Sequence, residues 1–355
     1  KLTTEVKVAQ FSGYVSENSA YHHGEASLNG AIVNMAQNYV GSNNMNLLQP
    51  NGQFGTRLKG GEDSASERYI FTLLNPLTRY AFMDSDDSVL EYMDDDGQLV
   101  EPTFYVPIIP FCLVNGISGI GTGFSCNIPS YNPLELIEYL RNKLTGNQNT
   151  TVSFRPYFEG FKGTVKSIED EPTKFQVKGL YEAVDRDKDK IVITELPIGT
   201  WTMNYLTFLE ELIDSGENKK KSVDSTKKTS TKKADAVVKD FVNMSTDIHV
   251  HITVQLEKGK LADLESVVDA NGINGLEKLL KLATTVNTTN MNMFNEKRQL
   301  HKYKNVEEII EAYFIVRMDM YEKRKNAQVK ITKARVQASG AWPACARLQH
   351  THTHT

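Results

Sequence analysis

The sequence predicts an α+β chain of several domains, on three observations. Apolar residues recur at helical spacing between Gly- and Asn-rich turns through residues 1–130. From about residue 151 the period becomes the alternation of strands, and beyond residue 258 helical spacing returns. With 355 residues and 40% hydrophobic content, the chain can bury a sizeable core in one large domain or two to three ordinary ones. Forty Lys and Arg against 44 Asp and Glu leave a net charge of −4, which argues against indiscriminate nucleic-acid binding and confines any DNA site to a local patch. The longest nearly uncharged apolar stretch, residues 104–114, is too short to span a bilayer and holds Pro107 and Pro110. No secretory signal is visible, and the chain starts at Lys1 in mid-motif, so it reads as a fragment. Cys112, Cys126 and Cys345 have no short paired spacing, so neither a disulfide framework nor a zinc site is expected, in keeping with a reducing compartment.

Taken in order, Leu28, Ile32, Met35, Ala36, Tyr39 and Val40 place an apolar stripe on a helix that follows the His22-His23-Gly24 turn. A second helix is expected from near Ser64, carrying Tyr69 and Leu73 and interrupted at Asn75-Pro76. A third starts at Asn132 as N-cap with Pro133 at its first position, sets Leu134, Ile137 and Leu140 on one face, and stops at Gly146. Strands are expected at 152–154, 162–168, 175–180, 190–194 and 249–256. Residues 218–239 form a Lys/Ser/Thr/Asp tract that cannot support a packed core and reads as a mobile basic loop. Asn305 and Glu308 resemble a capping box opening a helix with Val306, Ile309, Ile310, Tyr313, Val316 and Met320 on one face. Helical sequence runs to about Arg335. Residues 336–355, ending in His-Thr alternation, read as a non-native or disordered tail.

Several constellations have ordinary readings. The glycine-rich run from Asn115 to Gly123 lacks the Walker lysine, and Phe124 stands where a dinucleotide fingerprint needs its third glycine, so nucleotide binding is not expected there. Its Ile120 is either a core residue, which the pattern alone favours, or an exposed wedge between base steps. Asp185 to Asp189 begins like a calcium loop, but Lys190 and Leu196 occupy the glycine and glutamate positions, which leaves a charged hairpin turn. Asp84 to Asp87 and Asp94 to Asp96 read as acidic surface loops, and His249 with His251 as a pair on one face of a strand. The remaining group is His22-His23-Gly24-Glu25, Asn51 to Arg57, and Ser66-Glu67-Arg68-Tyr69. A phenol ionises near pH 10, so a nucleophilic tyrosine needs a base or cation beside it, and phosphoryl transfer needs cations around the equatorial oxygens. The residue types suit tyrosine attack on a phosphodiester, although an Arg-Tyr pair alone is common.

The segments KVAQFSGYVSENSAYHHGEASL, MAQNYVGSNNMNLLQPNGQFGTR and GGEDSASERYIFT change that reading. So do VEPTFYVPIIPFCLVNGISGIGTGFSCNIPSYNP, ITELPIGTW, TTNMNMF and YFIVRMDMYEKRK. Together they resemble the DNA breakage-reunion core of type IIA DNA topoisomerases, over roughly residues 4–330. The eukaryotic type, cellular or giant-virus, is the better match than the gyrase A protein. The resemblance implies Tyr69 as the nucleophile that links to a 5′ phosphate, with Arg68 beside it at the scissile region and His23 as a participant. It implies DNA contacts from His22 and Arg57, and intercalation by Ile120. It also implies a winged-helix DNA-cleavage domain over 1–130, truncated at its start, and a tower domain over 131–260 with the basic insertion. A helical shoulder entering a truncated coiled coil would occupy 261–335.

The partners implied are double-stranded DNA and a second protomer, as a homodimer, with no membrane. Mg²⁺ and ATP are the implied cofactors of the full-length enzyme, with neither site in this segment, so the segment alone is expected to be inactive. A cellular source implies the nucleus, a viral one the virion or host cell. The runner-up is a non-catalytic architectural protein that binds and bends DNA.

Overall fold

The computed structural model describes residues 4–146, 152–169, 171–185, 189–221 and 237–338. Residues 222–236 of the basic tract, and the tail from residue 339, lie outside the described residues, as does the centre of the 185–189 turn. The tract's first residues end a helix, Thr202–Lys221, and its last lie in strand Val238–Asn243, so neither end is loop. The α+β expectation holds. Among the described residues no helix is long and apolar enough to cross a membrane.

The first region packs helices Val8–Asn18 and Glu25–Ala36 over Leu28, Ile32, Val33, Leu48, Phe54 and Ile70. The second of these helices ends at Ala36, so Tyr39 and Val40 lie beyond it. The helix expected from Ser64 does not form. Residues 67–69 are a turn, and Phe71–Thr72 is a strand antiparallel to Val6–Lys7. Phe71 also exchanges both backbone hydrogen bonds with Asn51, at 3.0 and 3.1 Å. Strand pairing with residues far away in sequence has overridden a local helical pattern. The Asn75-Pro76 signal instead opens the helix Pro76–Ala81, with the Asn75 side chain accepting from Leu77 N–H.

The same Asn-Pro device starts the helix Pro133–Leu144, as expected, and Gly146 ends it at φ +72°. Its buried face is Leu136, Ile137 and Leu140, while Leu134 is exposed. This helix shares one core with Leu113, Ile128, Tyr131, Met291, Tyr303, Val306, Ile309 and Ile310. The last three belong to the helix Val306–Ala338, which opens on the Asn305 side chain accepting from Glu308 N–H. Asp86, read as a surface acid, is buried against this helix and pairs with Arg317 at 2.7 Å and Arg324 at 3.1 Å.

A four-stranded antiparallel sheet runs in the order Val238–Asn243, Ile252–Leu256, Lys190–Glu195, Leu180–Asp185. Ile191, Ile193, Ile252 and Val254 meet Tyr205 and Leu209 of the Thr202–Lys221 helix beneath it. A second sheet orders Ala283–Asn287, Glu171–Lys178 and Thr164–Ile168. Residues 152–154 form no strand, because Phe154 packs singly into the core with Tyr131 and Tyr139. His249 and His251 precede the strand Ile252–Leu256 and flank buried Val250, so the alternation survives without the strand. Asp189 closes the charged hairpin turn, and its carboxylate accepts from Gly259 and Leu261 N–H at the start of the Lys260–Ser266 helix.

Candidate functional site

Tyr69 sits on the turn between the two halves of the first core, 71% exposed, while its neighbour Ile70 is 1% exposed. Helix Val8–Asn18 begins directly against it. The first N–H groups of a helix have no partners within it, and here two find the turn's carbonyls. Val8 N–H donates to Ile70 C=O at 3.1 Å and Ala9 N–H to Glu67 C=O at 3.2 Å. Tyr69 N–H closes the turn onto Ser66 C=O at 2.9 Å. The backbone on both sides of Tyr69 is therefore fixed while the phenol projects into solvent. The Arg68 guanidinium carbon lies 5.7 Å from the centre of the Tyr69 ring, so a cation stands beside the ring.

The histidine turn flanks the same core. Tyr21 packs on the cluster that holds Ile70, and its ring meets His23 edge-on at 5.7 Å. His22 and His23 are exposed, with His22 Nε2 4.0 Å from an Asp95 oxygen. Ala20 N–H donates to the Glu101 carboxylate at 2.9 Å, which ties this turn to the hairpin Tyr92–Asp95 and Gln98–Pro102. No hydrogen bond joins either histidine to Tyr69 among the described residues. Glu25 occupies the first turn of its helix, where a carboxylate complements the helix dipole.

Ile120 settles on the exposed alternative. The glycine run folds as a hairpin, Ile117–Gly121 with Phe124–Ile128, and Ile120 stands near its tip at 94% exposure. Gly121 lets the strand close on Phe124, since a Cβ there would lie 2.5 Å from the ring. The hairpin is propped from the side by Asn292 donating to Ser125 C=O and Asn127 N–H donating to Asn290 C=O. At its base, Asn115 accepts from Met45 N–H and donates to Met45 C=O, both at 2.9 Å, and Asn44 donates to Val114 and Tyr157 C=O. Sequence reasoning passed over Asn44 and Asn115. For Asn44 the dense asparagines of SNNMN were the available signal, because a side-chain amide can serve a donor and an acceptor of loop backbone at once.

Arg57 lies inside the protein. It was expected to contact DNA, but it is 6% exposed and its guanidinium is engaged by the Glu195 carboxylate, itself 1% exposed. The loop that carries Arg57 is drawn tight by Asp63, which accepts from Thr56 N–H at 2.8 Å and Thr56 Oγ1 at 2.6 Å. Partial burial works against the Asp63 carboxylate, but these hydrogen bonds prevail and hold its pKa below the ordinary range.

Residues 1–349 match the family model for the A protein of DNA gyrase/topoisomerase IV. The chain belongs to that family. Among curated members, it is 46% identical over 323 residues to DNA topoisomerase 2 of Bombyx mori, covering 91% of this chain and 19% of that protein. It is 42% identical over 330 residues to the mitochondrial DNA topoisomerase 2 of Dictyostelium discoideum, covering 93% and 23%. It superposes on the Plasmodium falciparum topoisomerase II DNA-binding, cleavage and re-ligation domain with a TM-score of 0.81 and 38% identity, covering 92% of this chain and 41% of that one. The chain thus spans about a fifth of the length of the curated relatives it matches.

Among the described residues no three His, Cys, Asp or Glu side chains converge as metal ligands. The glycine run turns a hairpin and does not form the strand-to-helix loop that cradles phosphates.

Proposed function

We propose that this segment is the DNA breakage-reunion part of an ATP-dependent type II DNA topoisomerase. The observation that carries the reading is Tyr69: an exposed phenol on a turn whose flanking carbonyls are pinned by a helix N-terminus, with an arginine alongside. Tyr69 Oη attacks a backbone phosphorus, the bond from phosphorus to the 3′ oxygen breaks, and the 3′ hydroxyl leaves with a proton. The enzyme then holds the 5′ phosphate through the phenolic ester. Religation is the reverse, the 3′ hydroxyl displacing the phenol, so no bond energy is lost. Arg68 stabilises charge on the equatorial phosphate oxygens. His23 assists at the scissile phosphate, His22 contacts nearby DNA, and Ile120 wedges between base steps to bend the duplex.

In this reading residues 1–130 act as the winged-helix cleavage domain, 131–260 as the tower, and 261–335 as the shoulder entering a coiled coil. Two protomers of the full-length enzyme make a staggered double-strand break and pass a second duplex through it. Mg²⁺ and ATP serve the whole enzyme through residues outside this segment. The relatives' names support a eukaryotic-type enzyme, one of them a mitochondrial one; a cellular source places it in the nucleus, and a viral source in the virion or host cell.

The test is covalent trapping in the full-length protein with supercoiled DNA, Mg²⁺ and a denaturing quench. An adduct mapped to Tyr69, and abolished in Tyr69→Phe, is the expected result. An unchanged adduct level in Tyr69→Phe refutes the nucleophile. DNA bending with no adduct from the wild type transfers the reading to an architectural DNA-binding protein.

A further inference from the structure

The buried Arg57–Glu195 pair holds a loop that leads to the proposed nucleophile, and we infer that Glu195 is a positioning residue for Tyr69, acting through Arg57. This rests on the cleavage reading above. Strand Lys190–Glu195 alternates, so Glu195 follows Ile191 and Ile193 onto the core face, a position where a carboxylate needs a partner. It has three: the Arg57 guanidinium, Leu196 N–H at 3.0 Å and Lys162 N–H at 3.2 Å.

The loop is then clamped along its length. Arg57 C=O accepts from Thr202 N–H at 3.3 Å and Leu58 C=O accepts from Met203 N–H at 2.9 Å, so loop carbonyls serve the first N–H groups of the helix Thr202–Lys221. Gly60, at φ +64°, lies against the Trp201 indole, where a Cβ would fall 2.2 Å from Nε1. Gly61, at φ +90°, packs against the Gln37 amide and the Tyr39 hydroxyl. From the clamp the path is short. Asp63 ties back to Thr56, Ser64 N–H donates to Gly61 C=O, and Ala65 N–H donates to Gln53 C=O at 2.9 Å. The next residue, Ser66, supplies the carbonyl that closes the Tyr69 turn. The sheet region therefore reaches the turn from Glu195 through a short loop whose backbone is hydrogen-bonded along its way.

Displacing a reacting group by about 1 Å can cost roughly a hundredfold in rate. The experiment compares Glu195→Gln and Arg57→Gln with wild type in the full-length protein. It measures the single-turnover rate constant for adduct formation alongside duplex affinity across a salt series. A first-order rate constant does not depend on the folded fraction, so lost fold lowers the amplitude and not the rate. The expected result is a rate constant reduced about tenfold or more in both variants, with duplex affinity and its salt slope unchanged and partial rescue by Glu195→Asp. Wild-type rate constants in both variants overturn the inference. So does a salt slope lowered by about one in Arg57→Gln, with Glu195→Gln unaffected, because loss of one cation from the duplex contact marks Arg57 as a phosphate contact. A Tyr69→Phe control that still forms adduct fails the cleavage reading itself, which separates the two failures.

Discussion

Tyr69 and Ile120 are both large, exposed side chains, yet the molecule presents them by opposite means. Tyr69 is carried on one turn anchored from within: Ile70 is core, and the Glu67 and Ile70 carbonyls are bonded to a helix start. Ile120 stands out on a two-stranded hairpin, with its nearest fixings at the base and along one side. The difference fits the tasks. A nucleophile works only if its oxygen is held to a fraction of an ångström, whereas a wedge works only if it projects free of its own protein.

The comparison can be broken first at Ile70. Replacing this buried side chain by alanine should destabilise the protein by about 2–5 kcal/mol, read by denaturant unfolding, and slow adduct formation at Tyr69 while Ile120-dependent bending persists. A smaller loss is expected at the base of the hairpin. Asn115→Ala leaves Met45 N–H and C=O without their partner and should cost about 1–3 kcal/mol, with hydrogen exchange rising at Met45. Ile120→Ala removes only exposed surface, so stability should stay within about 0.5 kcal/mol, while the bend angle measured by fluorescence transfer across a labelled duplex falls.

The smallest effect concerns pH. Because the Asp63 carboxyl is depressed in the folded protein, its contribution is fully present above the ordinary aspartate value of 3.8 and is lost as pH falls through its lower folded value. Asp63→Asn should therefore unfold earlier than wild type near neutrality, and the two acid-unfolding curves should converge below that window.

Much of this was legible locally. Asn132-Pro133, Gly146 and Asn305 with Glu308 mark helix ends through hydrogen bonds made within a few residues, so the chain itself states them. The strands at 190–195 and 252–256 were readable because a two-residue period turns one face inward regardless of its partner. The segment from Ser64 to Leu73 was misread because its spacing also suits a helix. Only the pairing of Phe71 with Asn51 and Lys7, distant in the chain, decides for extended backbone.

The site divides in the same way. The sequence determined by itself the candidate chemistry, since Arg68 and Tyr69 are covalent neighbours and the glycines around Ile120 permit a tight hairpin. Tertiary structure alone decided that Ile120 faces outward, that Asp86 and Arg57 are buried ion-pair partners, and that Glu195 meets Arg57 across 138 residues. Burial and pairing depend on what arrives from elsewhere in the chain. A charged residue carries no local mark of whether solvent or another charge will answer it.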